Sequence, residues 1–265
     1  MHVQQDYADV NGTRLYYEVA GDGEAVVLVH GFTLDHRMWD DQFAALAARH
    51  RVLRYDLRGS GASSVPDRPY RHVDDLAALL NHFGIARAAI VGLSLGGMIA
   101  TDFALTYPGM VTALIPVASI LSGHQWSKEY VAEMTPIRQA GRAGDIATSR
   151  ALWLAHGLFT PARRDAAVGT RLEQIVTDYS GWHWRYHDPV QGIEPAAAER
   201  LDRVGAPTLV IVGEREIPDC VAIADRLASE IPGARKAVLP DVGHMANMEA
   251  PEQFNDVLLS FLATT

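Results

Sequence analysis

One short turn constrains this chain more than any other stretch of it. Gly92-Leu93-Ser94-Leu95-Gly96-Gly97 follows directly on the apolar run Ala88-Ala89-Ile90-Val91 and leads into a second apolar stretch, Met98 to Thr106. The first run reads as a buried strand and the second as a helix. A serine on so tight a strand-to-helix turn is held in a strained backbone conformation, with its hydroxyl presented at the carboxyl end of a sheet. Gly92 and Gly96 flank it because a Cβ at either place would strike the neighbouring strand or helix. A bare G-x-S-x-G arises by chance; in this context it marks a candidate nucleophile.

The rest of the chain supplies a sheet for that turn. Residues 5–9 and 13–19 read as strands joined at Asn11-Gly12, a strong two-residue hairpin signal. Ala25 to Val29 is continuously apolar, as in a strand buried on both faces. A helix from about Arg37 to Ala48, a strand near Val52 to Tyr55 and a helix from Asp74 to Phe83 follow. After the serine strand and its helix comes a strand over Thr112 to Val117. Then, much later, come a strand over Thr208 to Val212, a helix near 220–230, a strand near 235–239 and a final helix from Pro251. Strands alternating with helices in this way predict an α/β fold with a mostly parallel sheet of about eight strands.

Residues 121–203 break the alternation. They are rich in helix formers, contain no convincing strand, and hold Trp126, Trp153, Trp182 and Trp184. The expected organisation is a core in two parts, 1–120 and 204–265, with 121–203 inserted as a helical cap. Ligand sites in open α/β sheets lie beyond the carboxyl ends of the strands, so such a cap would roof the site. Its tryptophans serve equally well as its own core.

Bulk properties narrow the partners. A formal charge of −9 over 265 residues argues against nucleic acid or an anionic membrane. No apolar run approaches the ~18 residues of a membrane span, and Met-His-Val-Gln-Gln-Asp does not read as a secretory leader. A single cysteine, Cys220, excludes an internal disulfide framework and suits a reducing cytoplasm.

Serine chemistry needs a base, and the base an orienting acid. Position has to choose among eleven histidines. His183 and His187 lie in the cap, and His36, His50, His72, His82 and His156 sit on or beside predicted helices, where a surface role is the plain expectation. His244, in Pro240-Asp241-Val242-Gly243-His244-Met245, follows the last strand and precedes the last helix, which is where a base can reach the serine.

The set His30-Gly31-Phe32, Tyr55-Asp56-Leu57-Arg58-Gly59-Ser60-Gly61-Ala62-Ser63, the serine turn, Val212-Gly213-Glu214 and Gly243-His244 resembles the α/β-hydrolase fold superfamily. The resemblance runs from about residue 13 to the end. It implies an α/β-hydrolase fold, with the backbone N–H groups of Phe32 and Leu95 forming an oxyanion hole and His30 in a structural role. Family members usually carry an aspartate a few residues past the glycine that ends the seventh strand; here Glu216 stands at that place. A glutamate is longer by one methylene, so its loop must sit back by roughly 1–1.5 Å to keep a hydrogen bond of 2.6–3.2 Å. Asp219 is the rival acid, with the N-cap of the following helix as its alternative role; Asp241 is a remoter one.

Haloalkane dehalogenases and epoxide hydrolases of this fold use aspartate at the turn, whereas this chain has Ser94. The segments around Arg58 and Ser94 are similar to small carboxylesterases and enol-lactonases, which implies hydrolysis of an ester or lactone through an acyl-serine without cofactor or metal. A carbon–carbon bond hydrolase, a perhydrolase, a ligand receptor with slow chemistry and a scaffold that leaves the triad unused are the alternatives. The expected pocket draws on Leu34, Met98, Trp126, Trp153, Trp182 and Trp184, with Tyr130, Met134, Leu154, Leu158, Phe159 and Tyr186 as further walls. That apolar set favours a neutral, hydrophobic small-molecule substrate. Arg138, Arg163 and Arg164 read as solvated helix faces.

Overall fold

The computed structural model describes residues 2–265. Two antiparallel strands come first, β1 (Val3–Val10) and β2 (Thr13–Ala20). Asn11 and Gly12 join them, both with positive φ (47° and 69°), as a tight hairpin turn requires. The alternating elements β3 (Ala25–Val29), α1 (Asp40–Leu46), β4 (Arg51–Tyr55), α2 (His72–His82), β5 (Ala88–Leu93), α3 (Leu95–Thr106) and β6 (Val111–Val117) follow. The helix expected from Arg37 begins instead as a 3₁₀ turn over His36–Trp39, because Asp35 accepts from the N–H of Arg37 and tightens the entry.

Between β6 and β7 (Leu209–Gly213) lie α4 (Lys128–Arg142), α5 (Ile146–Ala155), α6 (Ala166–Asp178) and the one-turn α7 (Trp182–Arg185). Among the described residues this segment forms no strand, only an isolated bridge from Val190 to Tyr70. Three of its helices start on polar side chains that accept from their first turns: Ser127 before α4, Asp145 before α5 and Asp165 before α6. The chain then returns to the sheet with α8 (Pro218–Glu230), β8 (Arg235–Leu239), the short α9 (Ala246–Glu249) and α10 (Pro251–Leu262).

The eight strands are ordered β1-β2-β4-β3-β5-β6-β7-β8, parallel from β4 to β8. This is the α/β-hydrolase arrangement. Successive side chains of a strand point to opposite faces, so each central strand feeds two cores. Val26, Leu28, Val91 and Ile115 pack on one face with Phe43 of α1 and Phe254 of α10. Val27, Val29, Ile90 and Leu114 pack on the other with Leu76 of α2, Phe103 of α3 and Ile223 of α8. Buried residues of the helical segment, among them Ile137, Trp153 and Leu172, are continuous with the first of these cores.

The order places the site. β3 lies between β4 and β5, and the chain leaves β3 toward β4 but crosses back to reach β5. The loops after β3 and β5 therefore part company and open a crevice at their carboxyl ends. His30-Gly31-Phe32 follows β3 and Ser94 follows β5.

Candidate active site

Ser94 has φ 57° and ψ −112°, the strained conformation expected of the turn. The glycines around it are sterically obligatory. A Cβ on Gly92 would lie 2.0 Å from the carbonyl oxygen of Gly96, and one on Gly96 would lie 2.1 Å from that of Val29. Leu95 opens α3, so its N–H has no partner within the helix. The N–H of Phe32 donates to no described residue. Both residues line the same cavity as Ser94 and His244, a space of about 300 Å³ at the sheet's carboxyl edge.

His30 is fully buried, and burial holds its imidazole below the usual histidine range, that is, neutral. Its Nδ1–H donates to Gly31 O at 2.8 Å and its Nε2 accepts from the N–H of Leu57 at 2.9 Å. It thus ties the loop after β3 to the loop after β4. That second loop is itself locked: Asp56 accepts from the N–H groups of His36 and Ala62, and Arg58 makes a buried double contact with Asp75 at 2.7 Å. Trp153 Nε1–H donates to Thr33 Oγ1 at 2.6 Å, which fastens the helical segment to the residue after Phe32.

His244 is buried, and its Nδ1 lies 2.7 Å from Glu216 Oε2. A carboxylate only accepts, so the proton sits on Nδ1 and Nε2 is left as an acceptor. Glu216 Oε1 in turn accepts from the N–H of Ile217 at 2.8 Å, which fixes the carboxylate plane. The longer acid is accommodated by a tight turn in which the N–H of Glu216 donates back to Gly213 O at 3.3 Å. No hydrogen bond joins Ser94 Oγ to His244; both face the cavity.

Asp219 lies elsewhere. It accepts from Ser127 N–H at 2.8 Å and Ser127 Oγ at 2.6 Å, joining the first turn of α8 to the start of α4. Nor does it cap α8: Ile217 is the N-cap residue and Pro218 begins the helix. Asp241 is exposed and paired with Arg215 at 2.5 Å. Among the described residues, two sets of potential metal ligands have their ligand atoms within 4.8 Å of one another, Glu216–Cys220–His244 and Asp35–His36–Asp56. Spacing in the sequence disclosed neither, because each draws on separate loops or a helix. In the first, His244 Nδ1 is already bonded to Glu216; in the second, Asp56 already accepts from His36 and Ala62.

The cavity corrects several expectations about its walls. Trp126, Trp153 and Trp184 line it, and so do Tyr130, Met134 and Leu158. Leu34, Met98 and Trp182 do not. Leu34 is buried in the core, and Met98 lies a turn below the helix start that reaches the cavity through Leu95. Trp182 leans outward against Tyr186, which is 47% exposed. Leu154 also stays outside, and Phe159 sits behind Trp153 with ring centroids 5.1 Å apart. Arg138 is exposed, as expected of a solvated helix face, and also lines the cavity together with Arg142; Ile120, His183 and Cys220 are further wall residues that sequence reasoning missed. Four-residue spacing carried the missing signal, since Tyr130, Met134, Arg138 and Arg142 form one stripe of α4.

Three histidines expected at the surface are instead enclosed. His156 is buried; His183 lines the cavity, with its Nδ1 2.8 Å from Tyr179 Oη. Burial and the nearby His30 lower the pKa of His183 to about 4; burial, then His183, His30 and Arg58 lower that of His72 to about 3. A base depressed in the folded state binds its proton more readily when unfolded, so stability is lost as pH falls below ~6.5. The His72→Gln variant is expected to show a shallower loss of unfolding free energy between pH 6.5 and 4. The slope should drop by up to one proton's contribution, about 1.4 kcal/mol per pH unit. Urea titrations at four pH values measure it; an unchanged slope would contradict the burial of a neutral imidazole.

Residues 26–257 match the family model described as the alpha/beta hydrolase family, and the chain belongs to that family. A protein of Pantoea ananatis (strain LMG 20103), provisionally named carbamate hydrolase RutD, is 28% identical over 257 residues, which cover 94% of this chain and 93% of that one. The enol-lactonase from Burkholderia xenovorans LB400 has a crystal structure similar at a TM-score of 0.84. It is 27% identical, over 97% of this chain and 100% of that one. A thermophilic esterase from Thermogutta terrifontis has the same TM-score of 0.84 and 27% identity, over 98% of each chain. The protein is a hydrolase. Among its described residues no helix is long and apolar enough to cross a membrane.

Proposed function

We propose that the protein hydrolyses a carboxylic ester or lactone of a small molecule through an acyl-serine intermediate. The observation that carries this reading is the pairing of His244 Nδ1 with Glu216 Oε2 at 2.7 Å beside a cavity that also holds the strained Ser94. Nε2 of His244 takes the proton of Ser94 as Oγ attacks the carbonyl carbon, and the carbonyl oxygen becomes an oxyanion facing the N–H groups of Phe32 and Leu95. Collapse of this tetrahedral species breaks the bond to the leaving oxygen, which receives the proton from His244 and departs as an alcohol. Water then loses a proton to His244, attacks the acyl carbon, and releases the carboxylic acid as the proton returns to Ser94. Glu216 keeps the imidazole in the right tautomer and stabilises the imidazolium formed in each half.

Residues 121–203 serve in this reading as a cap that closes the cavity from above, anchored by the contact of Trp153 with Thr33. One buried free cysteine fits a reducing compartment, and the same reading assigns the protein to the cytoplasm. Turnover of short-chain nitrophenyl esters, enol-lactones and aryl carbamates, scored per active site, tests the proposal. Steady multiple turnover of an ester or lactone is expected. A stoichiometric burst that then stalls would favour a ligand receptor instead.

A further inference from the structure

The mechanism asks for something that Glu216 alone does not secure: a fixed place for the His244 ring while Nε2 changes from acceptor to donor and back. The backbone of its loop is held from two sides. Toward the acid loop, Val242 O accepts from the N–H of Arg215 at 2.8 Å. A Cβ on Gly213 would lie 2.3 Å from Val242 O and 2.5 Å from Gly243 O, so the two loops touch through bare backbone. A Cβ on Gly243 would in turn lie 2.5 Å from Pro161 Cγ in the helical segment.

The other side belongs to Glu249. Its Oε2 accepts from the N–H of Gly243 at 2.8 Å and its Oε1 from the N–H of Met245 at 3.0 Å. One carboxylate thus spans two peptide N–H groups, and the residue between them is the base. Among the described residues no other side chain bonds the backbone of 243–245. The N–H of Glu249 donates back to Met245 O at 2.8 Å, which closes the ring. Helix capping accounts for one of these bonds. An acid in the first turn reaches back to the N-cap N–H, and Met245 is the N-cap of α9. It does not account for the bond to Gly243, two residues before that cap. Nor does a cation hold the carboxylate in place: Arg54 pairs with Glu18 and Arg58 with Asp75, but Glu249 forms no ion pair with a described residue. Glu249 is half-buried, and burial raises its carboxyl above the usual range against the pull of the two N–H groups. It lies close enough to Glu216 and His244 to interact electrostatically with both. Burying a carboxylate without a cation is costly, and the partners that offset this one are the peptide groups around the base.

We propose that Glu249 is a positioning residue for the base: by fixing the peptide groups before and after His244, it keeps Nδ1 on Glu216 and Nε2 toward the cavity that holds Ser94. The proposal rests on the hydrolase reading above and adds to it a second acid, one that acts through the backbone and touches no reacting atom. A misplacement of ~1 Å at the reacting atoms costs on the order of 100-fold in rate. A small shift of this loop is therefore enough to slow the chemistry.

Two variants separate this role from that of a helix cap. Glu249→Gln keeps one acceptor oxygen but sets an NH₂ group against the second N–H; Glu249→Asp keeps the charge but reaches only one N–H. Turnover of 4-nitrophenyl acetate is counted per serine labelled by a fluorophosphonate, so that unfolded protein does not enter. The expected fall in kcat is about 10- to 100-fold for Glu249→Gln and smaller for Glu249→Asp, with KM within about threefold of wild type in both. Isotope-edited NMR of the His244 imidazole, assigned with a His244→Ala variant, should show the Nδ1–H tautomer alone in the wild type and a mixture in Glu249→Gln. Asp165→Asn is the control, because Asp165 accepts in the same manner from the N–H groups of Ala167 and Val168, at the start of α6. It should lower the melting temperature and leave both kcat per labelled serine and the tautomer as in the wild type. Unchanged kcat per site with a single tautomer in both Glu249 variants, or a mixed tautomer already in the wild type, overturns the proposal. If Glu249→Gln does not fold, the comparison of Glu249→Asp with the wild type decides alone. Absence of ester turnover in the wild type overturns the hydrolase reading instead, and the tautomer comparison still decides for or against Glu249.

Discussion

Replacing Ser94 by alanine is expected to abolish ester turnover while the protein stays folded. The change removes one hydroxyl from a turn whose geometry is enforced by Gly92 and Gly96, not by the serine side chain, which makes no hydrogen bond of its own. Members of a nucleophile–base–acid set act as a unit, so the loss should be on the order of 5–8 kcal/mol in the barrier, a fall of about 10⁴- to 10⁶-fold in kcat/KM. Circular dichroism and thermal unfolding should match the wild type closely. Near-normal turnover in the variant would remove Ser94 from the mechanism.

The second large effect separates the two candidate acids. Glu216→Gln preserves shape, yet its amide can leave His244 in the wrong tautomer and provides no charge for the imidazolium; a loss of about 10³- to 10⁴-fold in kcat is expected. Asp219→Asn should leave kcat within a few-fold of wild type. Its cost falls on stability, roughly 1 kcal/mol, because Asp219 holds the start of α4 through Ser127. Glu216→Asp should keep partial activity, since the turn through Gly213 is set for the longer side chain. Measuring kcat and the urea midpoint for all three variants distinguishes the roles. A steep kcat loss in Asp219→Asn with little in Glu216→Gln would reverse the assignment.

What the sequence made legible was local or periodic. Asn11-Gly12 announces its hairpin because few residues accept two successive positive φ values. The central strands announce themselves because burial on both faces leaves unbroken apolar runs. Ser94 and His244 stood out because each sits on a loop following a strand, and Glu216 was reachable through the position of Gly213. Contacts between distant segments were illegible. Asp219 looked like a helix cap because nothing marks Ser127, 92 residues away, as its partner. His72 and His183 looked like surface residues because an imidazole's burial is decided by tertiary packing. Arg138 was assigned to solvent on composition and is exposed, but that it also lines the cavity depends on how α4 packs. Trp182 erred the other way: an aromatic expected at a wall leans outward from a one-turn helix.

The central claim is that one serine, on one strained turn, becomes acylated. Peptide mass spectrometry after reaction with a serine-directed fluorophosphonate tests it most directly. The predicted result is a single adduct per chain on the peptide containing Ser94, absent in Ser94→Ala and formed much more slowly in a His244→Ala variant. An adduct on any other residue, or labelling that persists when Ser94 is alanine, would contradict the account.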